Sequence, residues 1–123
     1  LLARALLASP DILILDEPCS GLDVIAREYV LGMVQELAAN TDITVIYVTH
    51  YTEEILDIFQ HTLLLKNGRV YAQGRTEELF TPERLSDFLD HPVAVQRDGR
   101  GRVQVSAEVH SRLRDLVKEV QNG

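Results

Sequence analysis

The chain has 123 residues, enough for one domain with a hydrophobic core, and its 46% hydrophobic and 25% charged residues are a globular rather than a disordered or fibrous balance. A formal net charge of −7 argues against nucleic acid or anionic lipid as the main partner. The single cysteine, Cys19, excludes an internal disulfide and fits a reducing compartment. No apolar run approaches the roughly 20 residues that cross a bilayer, and no basic start with an apolar centre marks a signal peptide.

The first residue is Leu1 and the only methionine is Met33, so the chain is expected to be a piece of a longer protein. Leu1 to Ala8 has high helix propensity throughout, and Ser9-Pro10 stops the helix because a residue before proline is pushed out of the α region. Ile12-Leu13-Ile14-Leu15 then reads as a strand of a parallel sheet, buried on both faces. Asp16-Glu17 closes it. In open α/β sheets ligands sit beyond the carboxyl ends of the strands, so this acidic pair stands where a site belongs. A buried, unpaired carboxylate costs several kcal/mol, so the pair needs a metal, a partner or water.

Ser20-Gly21-Leu22-Asp23 forms a turn in which Gly21 supplies backbone freedom and Asp23 caps the next helix or makes a functional contact. Val24 to Ala39 is helical, with Val30, Met33, Val34, Leu37 and Ala38 on one apolar face and Met33 as core filler. Asn40-Thr41-Asp42 breaks it. Ile43 to Val48 gives a second β-branched strand, and strand–helix–strand at this length implies a parallel pair with a right-handed crossover. The second strand ends in Thr49-His50, another polar group where a buried strand meets the ligand edge. A histidine there suits polarisation or proton transfer near neutral pH, although a lone histidine after a strand is as a rule structural.

Thr52 is expected to cap a further helix, with Glu53 and Glu54 in its first turn and Ile55, Ile58 and Phe59 on its apolar side. Thr62 to Lys66 and Arg69 to Gln73 form a hairpin around Asn67-Gly68, a type I′ turn signal, and Gly74 ends it. Thr76 caps a short turn through Phe80. Thr81-Pro82-Glu83 starts another helix with proline at its first position. Beyond His91-Pro92, Val93 to Gln96 and Arg102 to Val105 look like two short strands, with Arg97, Arg100 and Arg102 at a solvated tip. Ser106 is expected to cap a last helix with Val109, Leu113, Leu116, Val117 and Val120 on one stripe, packed on the body in preference to a partner. His61, His91 and His110 read as surface or packing residues.

The run Ile12 to Glu17 with Pro18, followed by Ser20-Gly21-Leu22-Asp23, resembles the Walker B strand and D-loop of ATP-binding cassette (ABC) ATPases. The strand ending Val48-Thr49-His50 is similar to their H-loop, and the stretch Leu63 to Gly74 to the hairpin that comes after it and closes the sheet edge. The resemblance covers nearly residues 1 to 90. It implies an α/β class, a partial P-loop NTPase fold of parallel strands flanked by helices with an antiparallel hairpin toward the C-terminus. Residues 1–91 would be the C-terminal half of the nucleotide-binding domain and 92–123 an extension.

By the same resemblance Asp16 holds Mg²⁺, Glu17 polarises the attacking water, and His50 contacts the γ-phosphate of ATP and helps hold Glu17. Ser20, Gly21, Leu22 and Asp23 would lie at the interface with a second nucleotide-binding domain. Other implied partners are transmembrane permease subunits, with the protein cytoplasmic and peripheral on the inner membrane face. Nucleic acid is not an expected partner. By that resemblance the short connection between Asp16-Glu17 and His50, with the early hairpin, favours a bacterial-type importer or a small exporter subunit. The chain holds no Gly-x-x-x-x-Gly-Lys-Ser/Thr loop, no glutamine-bearing loop and no signature motif, so ATPase activity is expected of the full-length protein and not of this chain alone. Two other readings stay open: a soluble cassette ATPase of translation or DNA repair, and a non-catalytic module acting through residues 93–123.

Overall fold

The computed structural model describes residues 2–107 and 110–122. The chain divides into two units, 1–58 and 59–123, and its strands form three separate two-stranded sheets.

In the first unit α1 (Leu2–Leu7) leads through Ser9, held at φ 48, into β1 (Ile12–Asp16). α2 (Val24–Asn40) comes next, and then β2 (Thr44–Val48). β1 and β2 are parallel, Ile12 opposite Thr44 and Asp16 opposite Val48, so both strands end at the same edge. Asp23 caps α2 as its residue type dictates: its Oδ1 accepts the Ala26 N–H at 2.8 Å.

Burial departs from the sequence pattern in two ways. The strands are not covered on both faces: Leu13 is buried, whereas Ile14 is 64% exposed and Ile12, Ile46 and Val48 are also exposed. A two-stranded sheet covered on one face leaves the alternate side chains of a period-2 strand exposed. The buried face of α2 is centred on Leu31 and Val34, and Met33 is half exposed rather than core filler. α2 carries apolar residues on nearly every side, from Val24 and Ile25 through Tyr29 to Leu37, so its periodicity does not select one stripe. Leu31→Ala is expected to lower stability by about 2–5 kcal/mol in urea unfolding, and Met33→Ala by no more than about 0.5 kcal/mol. Equal losses would overturn this assignment of the helix face.

The expected helix from Thr52 is a single 3₁₀ turn, α3 (Thr52–Glu54), without a side-chain cap. The Glu54 side chain is drawn inward, and the segment leaves helical geometry at Ile55 (φ −83, ψ 101).

In the second unit β3 (His61–Lys66) and β4 (Arg69–Arg75) form the expected hairpin, with Asn67 and Gly68 at φ 52 and 73. Its register shifts between Leu64 and Leu65, and Gly74 lies inside β4 at φ 155 rather than ending it. β3 and β4 are hydrogen-bonded to each other as a two-stranded sheet. Thr76 opens α4 (Thr76–Leu79) but does not cap it. Its hydroxyl donates to the Phe59 carbonyl at 2.6 Å and meets the Thr62 hydroxyl at 2.7 Å. α5 (Pro82–Leu89) has proline at its start, as read from the sequence, and Thr81 caps it.

β5 (Val93–Arg97) and β6 (Val103–Ala107) are antiparallel, and α6 (His110–Asn122) closes the chain. Ser106 lies within β6, paired with Ala94; Val109 falls outside the described residues. Leu113, Leu116, Val117 and Val120 are exposed, so the last helix does not bury its stripe on the body.

The tip of the β5–β6 hairpin is organised by Asp98, whose Oδ1 accepts the Arg100 N–H at 2.8 Å and the Arg102 N–H at 3.0 Å. These backbone donors hold its carboxyl below the usual carboxylate range. A folded-state pKa below the unfolded value gives stability that is present above the ordinary pKa of about 3.9 and lost as pH falls through the folded one. The Arg100 and Arg102 amide resonances should therefore titrate with a midpoint below about 3.9. A midpoint at or above that value would refute the tip's design.

Candidate functional site

β1 and β2 deliver their last residues to one edge, and the residues just beyond the two strand ends form the site. Glu17 continues the ladder by donating its N–H to the Val48 carbonyl at 2.8 Å. It then turns at φ 49, a left-handed conformation that a non-glycine residue adopts at a cost of about 1–3 kcal/mol. The turn is fixed by Ser20 N–H to Glu17 O and Leu22 N–H to Cys19 O, each 3.1 Å, with Gly21 at φ 78. Such strain persists only where the surroundings impose it, and it aims the Glu17 side chain across the edge.

There it meets His50. The Nδ1 of His50 lies 2.6 Å from Glu17 Oε1. An ionised carboxylate only accepts, so Nδ1 carries the proton and donates, which leaves Nε2 as the nitrogen available to a further group. The His50 side chain is 69% exposed and that of Glu17 30%. The Tyr51 ring stacks against the imidazole with centroids 4.1 Å apart. Asp16 sits at the end of β1 with an exposed side chain. Glu17 and His50, 33 positions apart, are thus brought into contact, with Asp16 next to Glu17 in the chain. Ser20, Gly21, Leu22 and Asp23 are exposed between β1 and α2.

Beneath this edge is a polar network that the sequence pattern does not announce. Glu54 is 2% exposed. Its Oε1 accepts the Tyr47 hydroxyl at 2.6 Å and the Thr49 hydroxyl at 3.2 Å. Tyr47 also meets Cys19 Sγ at 3.3 Å. Burial raises the pKa of Tyr47 and of Cys19, so both keep their protons. The one available signal is Tyr47 itself: an inward tyrosine on a strand needs a partner for its hydroxyl. The other histidines stay outside the site. His61 begins β3, His91 Nδ1 donates to the Pro92 carbonyl at 2.8 Å, and the side chain of His110 lies outside the described residues.

Among the described residues no group of three His, Cys, Asp or Glu side chains is placed to hold a metal unaided. Mg²⁺ does not need one. It takes one or two carboxylates, keeps several waters and draws its other oxygens from substrate phosphates, and the exposed Asp16 fits that donor set. Among the described residues no helix is long and apolar enough to cross a membrane.

The parallel pair with its helices matches part of the P-loop NTPase fold of ABC ATPase domains, and the chain is similar in sequence to ATP-binding proteins of ABC transporters. The chain is 48% identical over 96 residues to the uncharacterised ABC transporter ATP-binding protein YlmA of Bacillus subtilis, covering 77% of this chain and 36% of YlmA. It is 44% identical over 96 residues to an ABC transporter ATP-binding protein of Streptococcus mutans, covering 77% of this chain and 37% of that one. Among solved structures it matches a metal-chelate type ABC transporter in an inward-facing conformation, with TM-score 0.77, 26% identity, and 90% of this chain against 46% of the other. The chain therefore spans about a third of the length of the curated relatives it matches. No protein-family model matches it.

Proposed function

We propose that residues 1–91 are the C-terminal half of the nucleotide-binding domain of an ABC transporter, with 92–123 an extension, and that the full-length protein hydrolyses ATP to drive transport. The observation that carries this reading is the 2.6 Å contact between Glu17 and His50 at the carboxyl edge of two parallel strands. Glu17 is the base. It accepts a hydrogen bond from the attacking water, whose oxygen bonds to the γ-phosphorus as the bond to the ADP oxygen breaks. The products are ADP, phosphate and a proton. His50 holds Glu17 through Nδ1 and offers Nε2 to the γ-phosphate. Asp16 would hold Mg²⁺, whose charge, when it is bound with the nucleotide, offsets the negative charge that develops on the phosphate oxygens.

Ser20 to Asp23 is the segment that would meet a second nucleotide-binding domain, and its exposure suits that use. Transmembrane permease subunits are the other partners, with the protein in the cytoplasm on the inner face of the membrane. The relatives' names support transport over a soluble role in translation or repair. A purely regulatory module would have no use for Glu17 in a strained left-handed turn against His50.

Mg²⁺-dependent phosphate release from ATP by the purified full-length protein tests the reading. Turnover that disappears on chelating the metal is expected. Full-length protein that binds no ATP and releases no phosphate would end it.

A further inference from the structure

We infer that Glu54 is a positioning residue for the Glu17–His50 pair, tying together the two loops that carry them. The inference rests on the proposed ATPase reading and adds a residue to it. Glu54 lies four positions after His50, and a single carboxylate oxygen accepts from Tyr47 on β2 and from Thr49 just beyond it. On the β2 side it accepts the hydroxyl of Thr49, the residue before His50. The same Thr49 oxygen accepts the Tyr51 N–H at 3.0 Å, so both neighbours of His50 are fixed through one hydroxyl.

On the β1 side the link runs through Tyr47. Its one hydroxyl proton goes to Glu54 at 2.6 Å, so its oxygen must accept, and the donor there is the Cys19 thiol at 3.3 Å. Cys19 lies two residues beyond Glu17, and its carbonyl accepts the Leu22 N–H that closes the turn. The chain S–H to O–H to carboxylate has one direction and ends on a buried acceptor. Hydrogen bonds to a charged acceptor are short and strong, and those in series reinforce one another. Glu17 is held in a left-handed turn and His50 is mostly exposed, so neither side chain is fixed by packing alone.

The test uses the purified full-length protein with ATP and Mg²⁺. Glu54→Ala is expected to lower kcat about 10-fold while KM for ATP stays within about twofold, because a displaced base slows chemistry without touching the phosphate contacts. Glu54→Gln should return kcat to within about threefold of the parent, since one amide oxygen can accept from both Tyr47 and Thr49. Placed on a Glu17→Gln background, Glu54→Ala should cost nothing further. Should Glu54→Ala fail to fold, Tyr47→Phe carries the test with an expected loss of about threefold. The inference falls if kcat is unchanged in Glu54→Ala, if Glu54→Gln is as slow as Glu54→Ala, or if the losses add. It falls together with the ATPase reading only if the parent protein, or its Glu17→Gln variant, shows that Glu17 plays no part in turnover.

Discussion

Glu17→Gln in the full-length protein is expected to lower kcat by about 10²–10⁴-fold, the usual worth of a positioned base, with ATP still bound. The amide has the shape of the carboxylate and an oxygen that still accepts the His50 Nδ1 proton, so the contact that orients the imidazole survives. What disappears is basicity: an amide cannot take up the proton of the attacking water. The loss should therefore fall on kcat, with the affinity for ATP measured by equilibrium binding changing little. His50→Ala offers the contrast, because it frees the Glu17 carboxylate and also withdraws Nε2 from the phosphate. A Glu17→Gln protein that keeps more than about a tenth of the parent's kcat would remove Glu17 from the role of base.

The parts of this structure that were legible in the sequence are those that local chemistry decides. Ile12 to Leu15 and Ile43 to Val48 are β-branched and aliphatic runs with no competing signal, and both became strands. Asp23 precedes a helix whose first N–H groups are free, and its side-chain oxygen caps it. Asn67-Gly68 can occupy the left-handed region twice in succession, and the hairpin turns there.

What was not legible depends on partners distant in sequence. Thr52, Thr76 and Ser106 carry the same hydroxyl chemistry as a cap. Thr76 instead gives its proton to Phe59 across the β3–β4 hairpin, and Ser106 continues a strand paired with Ala94. Glu54 has the appearance of a first-turn acid until Tyr47 on β2 and Thr49 just after it claim it. The edge where Asp16, Glu17 and His50 end was readable because a parallel pair must finish both strands on one side. The 2.6 Å distance was not, since it depends on the left-handed turn at Glu17.

The 123-residue chain on its own is expected to release no phosphate from ATP above the uncatalysed rate. On the proposed reading its acidic pair and imidazole would act on a nucleotide held by a phosphate-cradling glycine loop with a lysine, and no such loop occurs in this sequence. Hydrogen bonds to charged groups contribute about 1.5–3 kcal/mol each, so withholding even three of them weakens binding about 10³–10⁶-fold. Of the remaining groups, His50 offers one contact through Nε2, while Asp16 and Glu17 repel a polyphosphate in the absence of a bridging cation. The bare side of β1 and β2, with Ile12, Ile14, Ile46 and Val48 exposed, makes self-association a hazard, so the assay needs the monomer fraction from size-exclusion chromatography. Co-expression with the rest of the full-length protein should cover that side and bring turnover back if the two pieces assemble. Phosphate release by the isolated monomer, lost on Glu17→Gln, would instead show that this chain carries a phosphate site of its own.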